Sequence, residues 1–220
     1  NNTYSPLLSF AAIPILSASG SVAIKISAST SLPNLSEYSK ALAVSAEEAV
    51  KVIKSGDHVH ISSVSCAPMC LIEAMCERGE RGELKDVHIH HLHTEGPAPY
   101  VDPKFEGVFQ HDAFFVGANV RKSVQQGYAD YIPVFLNETA RLYRDNYIKC
   151  NVALIQVTPP DEFGYVSMGP SVDATLAAVE NADFTIAVIN KYVPRTFGDD
   201  PEFAGKMASA IMRGYNDNGM

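Results

Sequence analysis

No stretch of the 220 residues approaches about 18 uninterrupted apolar positions, so the sequence predicts no transmembrane helix. Cysteine is scarce: Cys66, Cys70, Cys76 and Cys150 are the whole supply. Cys66 and Cys70 are spaced CxxxC and no second pair follows, which leaves too few ligands for a zinc site and too low a density for a disulfide framework. The four are expected as reduced, mostly buried thiols, the habit of an intracellular protein. Positive charge is in deficit, with 17 Lys and Arg against 25 Asp and Glu and a formal net charge of −8. Such a chain repels phosphate backbones, so nucleic acid is not an expected partner. The first 36 residues contain no acid, no arginine and one base, Lys25, among many Ser and Ala. The expectation for residues 1–40 is a leader or disordered tail, with mitochondrial import as the destination and the cytoplasm as the alternative. The chain begins with Asn rather than Met, so its true start is expected upstream. Past residue 36 there is no internal repeat and no low-complexity segment.

What remains is 46% hydrophobic, enough for one globular domain with a real core. Ser45-Ala-Glu-Glu48 has the form of a capping box, and Gly56 is expected to stop the helix that follows. His58–Ser63 reads as a strand with Val59 and Ile61 on one face. Pro68 suits the first turn of a helix striped with Met69, Ile72, Met75 and Cys76 and ended by Gly79. Val87–Thr94 and Ala113–Val116 read as strands, and 94–99 as a loop. Asn119 is the expected cap of a helix closed by Gly127, and Asn137 of the next one. Val152–Val157 and Asp183–Asn190 are nearly all apolar, the pattern of strands covered on both faces, with a helix over 171–181 between them. Strands alternating with helices predict an α/β domain built on an open, mostly parallel sheet with flanking helices.

Three segments carry a family resemblance: residues 117–136, residues 152–169, and Ser171-Val-Asp173. Within them, GxADYxPxFL and PPDExGYxSxG are long and specific. They resemble, in the same order, the acetyl-CoA hydrolase/transferase family, over about Ala43 to Gly198. The resemblance implies a class I CoA-transferase-type N-terminal domain over 41–198, followed by a divergent tail over 199–220, where 201–213 could form an amphipathic helix. It implies two related α/β domains with the active site between them. It also implies a second-domain glutamate that becomes a glutamyl-CoA thioester, with glycine-rich loops holding the oxyanion. Both features fall after the region matched here, so the catalytic residue is expected outside this chain.

The implied activity is transfer of CoA from acetyl-CoA, or another short acyl-CoA, to a carboxylate such as succinate or 4-hydroxybutyrate. A hydrolase that passes the acyl group to water is one alternative. A non-catalytic CoA-binding or interaction domain is another. No permanent cofactor is expected, only a coenzyme A thioester as substrate. The implied partners are acyl-CoA and a small carboxylic acid, with no nucleic acid or membrane and a homo-oligomer in the full-length form. An isolated half would expose an apolar interface and dissolve poorly.

Ligands in open α/β sheets sit outside the carboxyl ends of the strands, and the substrate-binding candidates follow that rule. Ser63 and Ser65 follow the first strand and precede a helix, where they are either substrate contacts or a cap beside the buried Cys66. Tyr165 and Ser167 follow the 152–157 strand, and either edge the pocket or belong to a structural loop fastened by Asp161. Glu162 is the in-chain carboxylate nearest that loop, but the family places the nucleophile elsewhere. Asn119 and Arg121 open a helix, and Arg121 or Arg195 can pair with a carboxylate or a CoA phosphate. Against that stand a cap for Asn119 and surface salt bridges for the arginines.

His88, His90, His91 and His93 cluster in one segment, with His58 and His60 as expected neighbours. Alternate histidines can begin a metal site, but no complete ligand set is evident and none is assigned. Asn1, Asn34 and Asn137 match the N-glycosylation pattern, which is frequent by chance.

Overall fold

The strands rich in β-branched residues become the centre of the sheet. The computed structural model describes residues 9–13, 23–25, 44–161 and 165–196; the side chain of Tyr165, Glu162 and the 201–213 helix lie outside the described residues. The strands are β1 (Ser9–Ile13), β2 (Ala23–Lys25), β3 (His58–Ile61), β4 (Val87–His91), β5 (Phe109–Ala113), β6 (Ala129–Tyr131), β7 (Val152–Val157), β8 (Tyr165–Ser167) and β9 (Phe184–Ile189). The helices are α1 (Ala46–Ala49), α2 (Met69–Glu80), α3 (Arg121–Gln126), α4 (Thr139–Arg144) and α5 (Thr175–Asn181). The main sheet has the order β1-β9-β7-β3-β4-β5-β6. Its six strands from β9 to β6 are mutually parallel, and β1 joins antiparallel at the edge. A separate ribbon pairs β2 with β8 antiparallel. The α/β class and the mostly parallel sheet are as expected.

Each face of the sheet has its own core. Val59, Ile61, Ile89, Leu154 and Ile186 pack on Leu71, Ile72 and Met75 of α2. The opposite residues, Ala153, Ile155, Val157 and Ala187, pack on Tyr143 of α4 and on Ala177 and Val179 of α5. Alternation along the strands thus feeds two apolar layers, as a doubly covered sheet requires.

Several local expectations need correction. The fifth strand is Phe109–Ala113, four residues before the apolar run Ala113–Val116. Three polar residues hide it, and each makes a hydrogen bond within the sheet or beside it. Gln110 donates to Asp130, His111 Nδ1 to the Ile89 carbonyl, and Asp112 accepts from His88. Gly79 does not end its helix, which runs on to Glu80. It is small because Phe109 presses on it: a Cβ there would meet the Phe109 ring at 2.8 Å. Asn119 is not a cap, since α3 follows Val120 without a side-chain cap. Asn137 is not one either; it lies in a 3-10 turn, Leu136–Glu138, and Glu138 precedes α4. The last helix starts at Thr175 rather than Ser171, after Asp173 has accepted from the Thr175 amide. Ser45 does cap α1 through the Glu48 amide, but Glu48 turns to Lys51 instead of reaching back. All four cysteines are free; Cys66, Cys76 and Cys150 are buried and Cys70 is half-buried.

Candidate active-site rim at the strand carboxyl ends

Parallel strands bring the loops after β3, β4, β5, β7 and β9 to one end of the sheet, and Ser63, Ser65, Asn119, Arg121, Ser167 and Arg195 sit in or beside this rim. The loop after β3 is its tightest part. Val64 has φ +52°, a left-handed conformation that a β-branched residue adopts only under constraint. The constraint is a one-residue extension of the sheet, in which Val64 bridges Thr94 in parallel. The Val64 amide donates to the His93 carbonyl at 2.8 Å, and the Glu95 amide donates to the Val64 carbonyl at 3.5 Å. The loops after β3 and β4 are therefore fastened to each other. Backbone strain of this kind persists where surrounding structure enforces it, and it concentrates at functional sites.

Ser63 and Ser65 leave this loop in opposite ways. Ser63 is fully buried, and its hydroxyl has no hydrogen-bond partner. An unmet buried hydroxyl is destabilising by roughly 1–3 kcal/mol. Its neighbour is Asp173, a residue the sequence reading had not placed in the site. Burial of its inner side pushes the Asp173 carboxyl above the ordinary carboxylate value, against the Ser63 hydroxyl and, more weakly, the Ala174 and Thr175 amides, which favour the ionised form. Its outer side is exposed, so solvent moderates that shift. Ser65 is exposed and touches Ser171, Oγ to Oγ at 3.4 Å.

Asn119 ties the rim together rather than capping a helix. Its side-chain amide donates to the Thr94 carbonyl at 3.0 Å, the Thr94 hydroxyl at 3.1 Å and the Gly96 carbonyl at 3.1 Å. Two residues on, Arg121 is exposed at the start of α3, with no ion pair among the described residues. The surface salt bridge weighed for it is not made among the described residues. Arg195 does have the expected bridge, to Asp161 at 3.3 Å, and it also donates to the Pro159 carbonyl at 2.9 Å.

Ser167 is buried and committed within the protein. Its hydroxyl accepts from the amides of Gly169 and Thr196 at 3.1 and 3.2 Å and pairs with the Thr196 hydroxyl at 3.0 Å. The loop needs Gly169 as glycine, with φ +74°: a Cβ would come within 2.5 Å of Val193. Sequence reasoning missed Val64, Thr94 and Asp173. Asp173 stood inside the Ser171-Val-Asp173 segment and could have been found there, whereas nothing local marks Val64.

The histidines face both ways. His60 is fully buried on the α4 and α5 side, bonded to the Tyr143 and Thr175 hydroxyls, each at 2.9 Å. His91 and His111 stack at 4.3 Å on the α2 side, and the Tyr100 hydroxyl bonds His91 at 2.6 Å. Burial pushes His60 down to about 3, His111 to about 4 and His91 well below the usual imidazole range. These are neutral core histidines. Among the described residues no three His, Cys, Asp or Glu side chains stand in position to hold one metal ion.

Comparison with known proteins agrees with this frame. The acetyl-CoA hydrolase/transferase N-terminal domain matches residues 29–211. The succinyl-CoA:acetate/propanoyl-CoA:succinate CoA transferase of Fasciola hepatica is 42% identical over 153 residues, which is 70% of this chain and 32% of that protein. The 4-hydroxybutyrate coenzyme A transferase of Clostridium kluyveri is 36% identical over 163 residues, 74% of this chain and 38% of its own length. Among solved structures, a 4-hydroxybutyrate CoA-transferase from Porphyromonas gingivalis superimposes with a TM-score of 0.60 at 27% identity, covering 76% of this chain and 38% of that one. The chain thus spans about a third of the length of the relatives it matches, 32% and 38% for these two enzymes.

Proposed function

The chain belongs to the acetyl-CoA hydrolase/transferase family, whose N-terminal domain it carries, and on that premise we propose that it forms one half of a CoA-transferase. The whole enzyme moves CoA from acetyl-CoA, or another short acyl-CoA, to a carboxylate such as succinate or 4-hydroxybutyrate. The observation that carries this reading is the 42% identity to a succinyl-CoA:acetate CoA transferase across most of the chain. The rim gives it local support. An exposed arginine, Arg121, and an unmet buried hydroxyl, Ser63, are the groups an acyl-CoA and a carboxylate acceptor need for orientation. The Asn119 clamp and the Val64–Thr94 bridge hold the loops in place before substrate arrives, which lowers the ordering cost of binding.

In this reading residues 41–198 form the N-terminal catalytic-cleft domain, and the thioester-forming glutamate comes from a second domain. That carboxylate splits one hard transfer into two easier ones. This chain orients the acceptor and shields the cleft from water. Coenzyme A enters only as substrate, and the full-length protein works as a homo-oligomer. The acid-poor, Ser-rich residues 1–36 support import into mitochondria.

The test uses the intact protein with labelled acetyl-CoA and succinate. Exchange of CoA between the two, without net release, is the expected outcome. Net release of CoA whether or not an acceptor is present would turn the assignment to a hydrolase. Ser63→Ala should lower kcat/KM for the transfer about tenfold, as loss of one oriented hydrogen bond does. Neither exchange nor release with any short acyl-CoA, in protein carrying both halves, would leave only a binding or subunit-contact role.

A further inference from the structure

A chain of buried polar groups runs from the core to the rim and ends on Asp173. Tyr143, His60 and Thr175 are all buried. The His60 ring lies between two hydroxyls, with Nδ1 2.9 Å from that of Tyr143 and Nε2 2.9 Å from that of Thr175. Thr175 then reaches Asp173. Its amide donates to Asp173 Oδ1 at 3.2 Å, and its hydroxyl donates to the same oxygen at 3.4 Å.

One arrangement of protons satisfies every member of this chain. The Tyr143 hydroxyl makes no other hydrogen bond among the described residues, so its proton goes to His60 Nδ1. Burial keeps His60 neutral, and a neutral ring with a bare Nδ1 carries its one proton on Nε2. That proton is donated to the Thr175 oxygen, and the single Thr175 hydroxyl proton is left for Asp173. The opposite tautomer would strand the Tyr143 proton in the core. All the donors therefore point one way, from the core outward, and each link polarises the next.

The end of the chain faces solvent. Asp173 is exposed, its backbone is left-handed at φ +33°, and the buried, unpartnered Ser63 hydroxyl lies beside it. Thr175 occupies Oδ1 only, which leaves Oδ2 as an outward acceptor. A carboxylate takes only N–H or O–H groups. The two substrates of the transfer differ sharply in these. An acid such as succinate brings no donor and the same sign of charge, whereas coenzyme A carries amide N–H and hydroxyl groups along its pantetheine arm. We propose that Asp173 is a substrate-contacting residue that accepts a hydrogen bond from the pantetheine arm, and that Thr175, His60 and Tyr143 are positioning residues that act through it. This assignment rests on the CoA-transferase reading of the chain.

The probes are the two pieces of coenzyme A, pantetheine and adenosine 3′,5′-bisphosphate, titrated by calorimetry into the intact protein carrying both halves. Asp173→Asn tolerates the left-handed backbone and keeps an oxygen for the Thr175 amide, so it removes the charge and little else. It should weaken pantetheine about tenfold and leave the bisphosphate, and KM for succinate, unchanged. Thr175→Val keeps the packing volume and loses the hydroxyl, so it should weaken pantetheine several-fold. Thr175→Ser should restore the affinity, the reverse of what packing alone predicts. The 15N resonances of His60 should show a bare Nδ1 and a protonated Nε2. The proposal is overturned by a wild type that binds no pantetheine, by equal pantetheine affinity in Asp173→Asn, or by equal weakening of both pieces. A rise in KM for succinate alone, a valine variant no weaker than the serine one, or a proton on His60 Nδ1 would also overturn it. Pantetheine binding that depends on Asp173 in a protein without transfer activity would sink the transferase reading and leave this contact standing. Transfer untouched by Asp173→Asn would do the opposite.

Discussion

Lowering the pH from 7 to 5 should remove most of the stability of this fold, and buried histidines are the cause. In the folded chain His60, His90 and His111 titrate near 3, 2 and 4, and His91 well below the usual range. Desolvation is the leading cause in each. In the unfolded chain the same groups titrate near 6.5. The folded pKa values are depressed, so the unfolded state binds more protons as the pH falls. Stability is therefore complete above about 6.5 and drains away below it, down through the folded values. At pH 5 each histidine that stays neutral in the fold costs about 2 kcal/mol, from 1.5 pH units at about 1.4 kcal/mol per unit. Four such groups come to about 8 kcal/mol, against a typical total of about 5–15 kcal/mol for a domain. The carboxylates contribute in a lower window: Glu47 is held down by Ser45 and Glu83 by Arg81, so both act only below the ordinary carboxylate range.

The assay is urea denaturation of the dilute chain at half-unit steps from pH 7.5 to 5, followed by circular dichroism. The expected slope below pH 6 is several kcal/mol per pH unit. His60→Gln, which can still bond the Tyr143 and Thr175 hydroxyls, should remove about a quarter of that slope whatever it does to the absolute value. Stability that changes by less than about 1 kcal/mol between pH 7 and 5 would refute the reasoning, because it would mean that these histidines are charged or solvated in the native state.

Other substitutions test the packing. Gly79→Ala gains up to about 1 kcal/mol of helix propensity but drives a methyl into the buried Phe109 ring, so a net loss of about 1–2 kcal/mol is expected in thermal unfolding. Arg78 is nearly buried and donates to the Val50 and Ile53 carbonyls, so Arg78→Ala should destabilise by roughly 2–4 kcal/mol, one to two for each stranded carbonyl, with urea midpoints as the measure. Phe115, Tyr131, Phe135 and Leu136 are exposed, Phe135 to 76%. The isolated chain should therefore associate as concentration rises, and Phe135→Ser should reduce this in sedimentation velocity.

How much of this was legible depends on where each residue's partner lies. β7 and β9 announced themselves as apolar runs, because both faces of the sheet are covered and all but Gln156 and Phe184 along them are buried. β5 did not, because its polar side chains bond to strands distant in sequence: His111 Nδ1 to Ile89, Asp112 to His88 and Gln110 to Asp130. Periodicity sees the residue and not the partner. The same limit moved Asn119 from the cap its position suggested to a clamp on Thr94 and Gly96, more than twenty residues away. At the rim, the strand-end rule chose loops that the fold does bring together at one end of the sheet, because it depends only on the order of strands and helices. It could not find Val64, since valine is among the residues least suited to a left-handed conformation and only the bridge to Thr94 imposes it. The unmet Ser63 hydroxyl next to it is equally silent in sequence, where every serine looks satisfied. Strain and an unmet polar atom are properties of closure, set when the loops after β3 and β4 meet. Neither can be read from local preference, because both depend on residues about thirty positions apart in sequence.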